Sequence, residues 1–274
     1  MAEESSEGSL LHSVGASVVH QLGVTRGLIS TLVSALQSVF TPGAGAREVV
    51  RSLTIRQIFY TSFQALPMIG AVAFFIGATL TAQTEILGGA LQRETAGRIL
   101  VAVIFREFAP LVTAIIVAGR SGTAIATELG VMRVNKEILG LASLGIDPPR
   151  FLVWPRIVAT TLSIPLLTIY FSAIAIISGN FTAFLMDQHG VADWQTGAMM
   201  ALGPADLPLL LTKTLGLGGL VGWLCCYYGL DVGASPTEIP QKASRAVVQT
   251  LLACIIYNAV VTIAFYWVVG GSLA

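Results

Sequence analysis

The sequence predicts an all-α membrane protein, in which an N-terminal interfacial amphipathic helix precedes five transmembrane helices. A short cytoplasmic helix is expected between spans two and three. Hydrophobic residues make up 54% of the 274 residues and charged residues 11%, and the mean hydropathy is +0.79. Long stretches of the chain carry no charge, and the basic residues collect in alternate loops. Soluble domains carry about 25% charged residues, so the composition excludes a soluble enzyme, a disordered chain and a disulfide scaffold.

The N-terminal part of the chain differs from the rest. Residues 1–50 are predicted to form a tail and an interfacial helix, and residues 51–274 the transmembrane domain. Between residues 11 and 40, apolar side chains recur at helical spacing and polar ones fill the other positions, which is typical of a helix lying along a membrane surface. Glutamates stand near the start, where a secretory signal would have basic residues, so a cleaved signal peptide is not expected.

Five apolar stretches set the architecture. A bilayer-spanning helix needs about 20 mainly apolar residues, and the stretches that meet this requirement are 57–84, 99–119, 157–186, 207–230 and 246–274. Arginine and lysine concentrate before span one, between spans two and three, and between spans four and five. Because cytoplasmic loops are rich in these residues, we expect a cytoplasmic N-terminus and a periplasmic C-terminus.

Span two contains the adjacent charges Arg106 and Glu107, and span four contains Lys213. Ionisable residues inside a span are costly and suggest function. Neighbours on a helix point about 100° apart, so each needs its own partner. Lys213 and Glu85, at the end of span one, are the candidates. Two interpretations stay open: an ion pair between helices, or a site for an anionic lipid headgroup, whose phosphate suits the planar fork of arginine.

The loop between spans two and three contains a helical pattern. Over residues 128–143, apolar positions recur at helical spacing among polar ones, and Gly145 is a typical residue for the end of such a helix. This predicts a short amphipathic helix on the cytoplasmic side. It either rests on the lipid headgroups, or it docks into a cytoplasmic partner and transmits that partner's movement to the spans.

The sequence has no motif for catalysis. It contains no GxxxxGK[ST] phosphate loop, no GxSxG elbow and no HExxH helix. The cysteines 225, 226 and 254 lie in apolar runs and are predicted to be packing residues, and the three histidines are far apart. The net charge of zero suggests no nucleic-acid partner. We therefore expect a non-enzymatic chain that holds no metal or cofactor and does not hydrolyse nucleotide.

Two motifs resemble a known family. The stretch REFAPLVTAIIVAGRSGTAIATELGVMRVNKEI (106–138) and the following GIDPPRFLVWPR (145–156) are similar to the signature region of MlaE-type permeases, the membrane subunits of Mla/Mce ABC lipid transporters. The stretch GLDVGASPTEIPQKASRAVVQT (229–250) resembles the family's last cytoplasmic loop. The resemblance extends from about residue 55 to the C-terminus.

The resemblance implies partners, cargo and location. Members form a permease homodimer in the bacterial inner membrane, and each copy docks a cytoplasmic ABC ATPase that binds ATP and Mg²⁺. A periplasmic MCE-domain protein joins them, with a STAS-domain protein in some systems. The cargo is phospholipid or another hydrophobic lipid, moved between the inner and outer membranes.

The resemblance also assigns site residues by position. The ATPase-coupling positions are Glu128, Gly130, Met132, Arg133 and Glu137. The positions beside the lipid cavity are Gln83, Glu85, Arg106 and Glu107, to which the charge pattern adds Lys213.

Three alternatives to a phospholipid permease are considered. The first is an Mce-type permease for sterols or other apolar solutes, whose cargo would have less need of Arg106. The second is a stand-alone secondary transporter, which needs titratable residues on several helices and often an inverted repeat; no repeat is visible. The third is a membrane scaffold without a transport role. Lipid identification separates the first from a phospholipid permease, and co-purification of an ATPase tests the others.

Overall fold

The fold is a bundle of long helices. The computed structural model describes residues 44–87, 93–186, 196–197, 200–203 and 206–271, which contain helices and no strand. The α-helices are α1 (Ala44–Phe63), α2 (Leu66–Leu87), α3 (Arg93–Val103), α4 (Ala109–Val117), α5 (Thr123–Val134), α6 (Glu137–Ser143), α7 (Trp154–Met186), α8 (Asp206–Leu230) and α9 (Glu238–Gly271). The predicted interfacial helix of residues 11–40 lies outside the described residues.

The prediction of five spans is confirmed. Among the described residues, five helical stretches are long and apolar enough to cross a membrane: Glu48–Thr84, Gly97–Val134, Pro149–Met186, Asp206–Leu230 and Glu238–Trp267. All five begin before the predicted limits, and the second also ends fifteen residues later, because a helix continues past the apolar segment when its polar end has hydrogen-bonding partners. The chain is therefore a multi-pass helical membrane protein.

Span one consists of two helices. Between α1 and α2, residues 64–65 form a turn, and Pro67 occupies the first turn of α2, where a missing N–H costs nothing. Helix α1 begins at Ala44 and includes the residues on both sides of the predicted boundary at 50/51, and the division into a tail and a transmembrane domain stays a prediction.

The described residues contain three π-helical turns: Ile104–Phe108 and Ala118–Gly122 lie within span two, and Pro149–Val153 begins span three. The first two join α3, α4 and α5 into one helical run through span two. Turns of this kind inside α-helices frequently occur at functional sites, and the first one contains the adjacent charges of span two.

Helix α7 is the centre of the bundle, with α1, α2, α4 and α8 against it. Small residues allow close approach: a Cβ on Gly77 would lie 2.2 Å from the Ala175 carbonyl oxygen, and one on Gly218 would lie 2.6 Å from the Thr161 Cα. The large side chain of Phe171, on α7, is fully buried in the bundle. The cysteines are free and buried, as expected of packing residues.

The segment after span two differs from its prediction. The single helix expected over residues 128–143 is divided: α5 continues from span two to Val134, and a separate helix α6 begins at Glu137. The division lies at Lys136, which has a left-handed backbone with φ of 61°. The predicted end at Gly145 is confirmed, since Gly145 has φ of 74° and its N–H bonds the Ala142 carbonyl.

Candidate functional site

A charged cluster joins spans two, four and five. Arg106 lies in the first π-helical turn and faces the start of α8. Its Nε donates to Asp206 Oδ1 at 2.7 Å and its Nη2 to Asp206 Oδ2 at 3.2 Å, the paired geometry that arginine and carboxylate favour. The buried Asp206 also accepts the backbone N–H of Gly203 at 2.7 Å. This carboxylate therefore fixes both the guanidinium and the first turn of α8.

Glu107 points to different partners. Its Oε1 accepts from Lys213 Nζ at 2.8 Å, and its Oε2 accepts from Asn258 Nδ2 at 2.9 Å. The hydroxyl of Thr262 lies 3.0 and 3.2 Å from the two carboxylate oxygens. One carboxylate thus connects span two to α8 and α9, with hydrogen bonds to both of its oxygens.

Lys213 is fully buried, with 0% of its side chain exposed. Besides Glu107, its Nζ donates to the backbone carbonyl of Arg106 at 2.7 Å. Pro110 has no N–H with which to bond the carbonyl four residues before it, which is that of Arg106. The buried ammonium group therefore supplies a hydrogen bond that the proline cannot make.

The cluster is electrically balanced, and two of its members are accessible. Arg106 and Lys213 oppose Asp206 and Glu107, so two positive charges meet two negative ones. The side chain of Arg106 is 26% exposed and that of Glu107 is 33% exposed, whereas their partners are buried. The guanidinium has N–H groups beyond the two that bind Asp206. The cluster can therefore present a cation and an anion side by side to a polar ligand.

The prediction that the adjacent charges find separate partners is confirmed, and Lys213 is one of them. Sequence reasoning missed Asp206, Asn258 and Thr262. The sequence did contain a signal for Asp206, because it lies seven residues before Lys213 and therefore shares one face of a helix with it. Asn258 and Thr262 are four residues apart in an uncharged span and likewise share a face.

Of the other two residues predicted to bind lipid, only Gln83 has a described side chain, and it lies apart from this cluster. Gln83 is exposed on α2, and no hydrogen bond among the described residues joins it to the cluster. Glu85 lies in the last turns of α2, but its side chain is outside the described residues. Within the described part of the chain, no group of histidine, cysteine, aspartate or glutamate could hold a metal ion.

The five positions assigned to ATPase coupling separate into two sets. Arg133 and Glu137 are exposed and Met132 is half-buried near the end of α5 and the start of α6, whereas the exposed Glu128 lies in the middle of α5 and pairs with Arg156. Gly130 instead is buried, and a Cβ there would lie 3.0 Å from Val232 and 3.3 Å from Ile239. The structure therefore places Gly130 against the connection between α8 and α9. The assignment by position could not show which face of α5 each residue occupies.

The fold and the cluster define a polytopic membrane protein with a charged network inside its helical bundle. The sequence model of the family described as "Permease MlaE" matches residues 54–264, which is most of the chain. The chain belongs to the MlaE permease family.

Named relatives agree with this assignment. The chain is 29% identical over 216 residues to a Rickettsia conorii protein named "Probable ABC transporter permease protein", covering 78% of this chain and 83% of the relative. It is 28% identical over 214 residues to the Haemophilus influenzae "Intermembrane phospholipid transport system permease protein MlaE", covering 77% and 81%. It is also 28% identical over 222 residues to the chloroplastic "Protein TRIGALACTOSYLDIACYLGLYCEROL 1" of Arabidopsis thaliana, covering 80% and 63%.

Proposed function

We propose that this chain is the permease subunit of an ABC transporter that moves phospholipid between the inner and outer membranes of a bacterium. The observation that carries the proposal is the balanced cluster of Arg106, Glu107, Asp206 and Lys213 within the spans of an MlaE-family permease. The name of the Haemophilus relative supports phospholipid as the cargo. The work is supplied by a separate ATPase, and this chain is not itself an enzyme.

The cluster provides a headgroup site. A phospholipid carries a phosphate and two apolar chains, and Arg106 has N–H groups free of Asp206 that can bind a phosphate oxygen. The partly exposed Glu107 can accept from a hydroxyl or ammonium group of the same headgroup. The buried Oδ1 of Asn258 has no donor among the described residues and can accept one more bond. Gln83 and Glu85 are proposed to line the outer part of the same path.

The segment that follows span two provides the ATPase-docking surface. Arg133 and Glu137 are exposed at the junction of α5 and α6, and Leu139 on α6 is 70% exposed. A large exposed apolar side chain among charged residues is typical of a protein-binding surface. Because α5 is continuous with the helical run that contains the cluster, a push on this segment is transmitted along span two.

The remaining partners follow from the family. We propose a permease homodimer, a cytoplasmic ATPase that binds ATP and Mg²⁺, a periplasmic MCE-domain protein and, in some systems, a STAS-domain protein. The N-terminus is proposed to be cytoplasmic and the C-terminus periplasmic, from the placement of arginine and lysine.

The experiment that tests the cargo identifies the lipid that the purified complex retains. Lipids are extracted from complexes of the wild type, Arg106→Gln and Arg245→Gln, and quantified by mass spectrometry. Arg245 is an exposed arginine at the other end of the bundle and serves as the charge-matched control. We expect phospholipid in the wild type and the control, and reduced occupancy in Arg106→Gln. Recovery of neutral lipid alone, or equal phospholipid in all three complexes, would contradict the headgroup site.

A further inference from the structure

A cavity lies apart from the charged cluster. It has a volume of about 590 Å³ and lies between α1, α5 and the start of α7, at the end of the bundle where basic residues are most frequent. Cavities of about 300–1,000 Å³ are the usual size of small-molecule sites. The charged residues among those that line it are Arg56, Glu128 and Arg156.

The cavity has an excess of positive charge. The side chain of Arg156 is only 8% exposed and is held by Glu128 at 2.9 Å and by the Leu152 carbonyl at 3.0 Å. Arg56 is exposed, packs its guanidinium over the Tyr60 ring at 5.7 Å, and forms no ion pair within the described part of the chain. One arginine is therefore neutralised and fixed, and the other is available to an anion.

Apart from Gln57, Tyr60 and Gln64, the rest of the lining is apolar, and an exposed apolar surface lies next to it on α1. Met132, Phe151 and Leu152 line the cavity beside the charged residues. On α1, the exposed rings of Phe59 and Phe63 stack with centroids 5.1 Å apart, one and two turns beyond Arg56. A ligand that matches both features has an anionic head and a hydrocarbon chain.

We propose that this cavity binds the headgroup of an anionic phospholipid from the adjacent leaflet, with its phosphate at Arg56 and its acyl chains along the Phe59 and Phe63 face of α1. Basic pockets between membrane helices are known to hold anionic headgroups. This lipid is a resident one rather than the cargo, since its site is built from residues outside the charged cluster. It connects α1 to α5 and α7 and thereby holds the first helix of span one against the segment that follows span two.

The test compares lipid retention by the full-length permease in detergent, using native mass spectrometry. Phosphatidylglycerol and phosphatidylcholine are added in turn to the wild type, Arg56→Gln and Arg51→Gln. Arg51 is an exposed arginine on the same helix that does not line the cavity, so its variant removes an equal charge. We expect the wild type and Arg51→Gln to retain phosphatidylglycerol preferentially. The affinity of Arg56→Gln for it should fall about fivefold, the effect of one basic residue near an anionic surface.

A second variant acts in the opposite direction. Glu128→Gln removes the negative charge of the cavity and releases the Arg156 guanidinium, so it should retain more phosphatidylglycerol than the wild type. The loss of phosphatidylglycerol affinity caused by Arg56→Gln should persist in an Arg106→Gln background. That result separates this site from the proposed cargo site. The proposal would be overturned if Arg51→Gln and Arg56→Gln lost equal affinity for phosphatidylglycerol, or if the wild type did not prefer phosphatidylglycerol to phosphatidylcholine. Displacement of the bound phosphatidylglycerol by inorganic phosphate at millimolar concentration would also overturn it.

Discussion

The ammonium group of Lys213 lies 2.8 Å from the carboxylate of Glu107 and is fully buried in the bundle. The same ammonium group donates to the Arg106 carbonyl, to which Pro110 has no N–H to offer. The Lys213 side chain thus neutralises the charge of Glu107 and supplies a hydrogen bond that Pro110 cannot make. The arrangement explains why a lysine is tolerated at this depth in span four.

The first prediction concerns this pair. Lys213→Met should lower the free energy of unfolding by about 3 kcal/mol, because it leaves Glu107 partly buried without a cation. The double variant Glu107→Gln/Lys213→Met should recover most of that loss, since no charge is then unpaired. Thermal unfolding of the purified permease in detergent measures both. A double variant less stable than Lys213→Met would contradict the pairing.

The second prediction concerns Asp206. Asp206→Asn keeps an acceptor for the Gly203 N–H but removes the charge opposite Arg106, so we expect a loss of about 2 kcal/mol. The control is Asp231→Asn, whose carboxylate pairs with Lys242 at the surface, where an ion pair contributes less than about 1 kcal/mol. Equal effects of the two variants on the unfolding temperature would argue against a structural role for Asp206.

The third prediction concerns helix packing. Gly218→Val should destabilise the protein by about 1–3 kcal/mol, because the new Cβ would meet the backbone of α7 at Thr161, and backbone cannot move aside as a flexible side chain can. The neighbouring Gly219→Ala should be neutral, since its Cβ would be 3.8 Å from the Thr161 hydroxyl. Unfolding temperatures of the two variants provide the comparison, and similar values would show that α7 and α8 are not packed as described.

The sequence predicted the spans well because the bilayer sets the length and polarity of each helix. It also predicted Lys213 as a partner of the charged pair, because charges in the spans are scarce. It did not predict Asp206, since the apolar run that marked span four began at the next residue. The division at Lys136 was missed for a different reason: a left-handed backbone at a residue other than glycine has no clear sequence signal.

The fourth prediction concerns docking of the ATPase. Leu139→Asp and Arg133→Glu should each weaken co-purification of the ATPase, because both side chains are exposed on the proposed docking surface. Both permease variants should unfold at the wild-type temperature. Gln83→Ala, at the far end of span one, is the control and should retain the ATPase. Undiminished ATPase binding by both substituted permeases would remove this segment from the interface.

The most direct test of the account is lipid transfer between vesicles by the purified permease, alone and with its ATPase. The account predicts ATP-dependent transfer by the complex, little transfer by the permease alone, and loss of the ATP-dependent part with Arg133→Glu. Full-rate transfer by the permease alone, with no nucleotide present, would contradict the central claim that this chain depends on a separate motor.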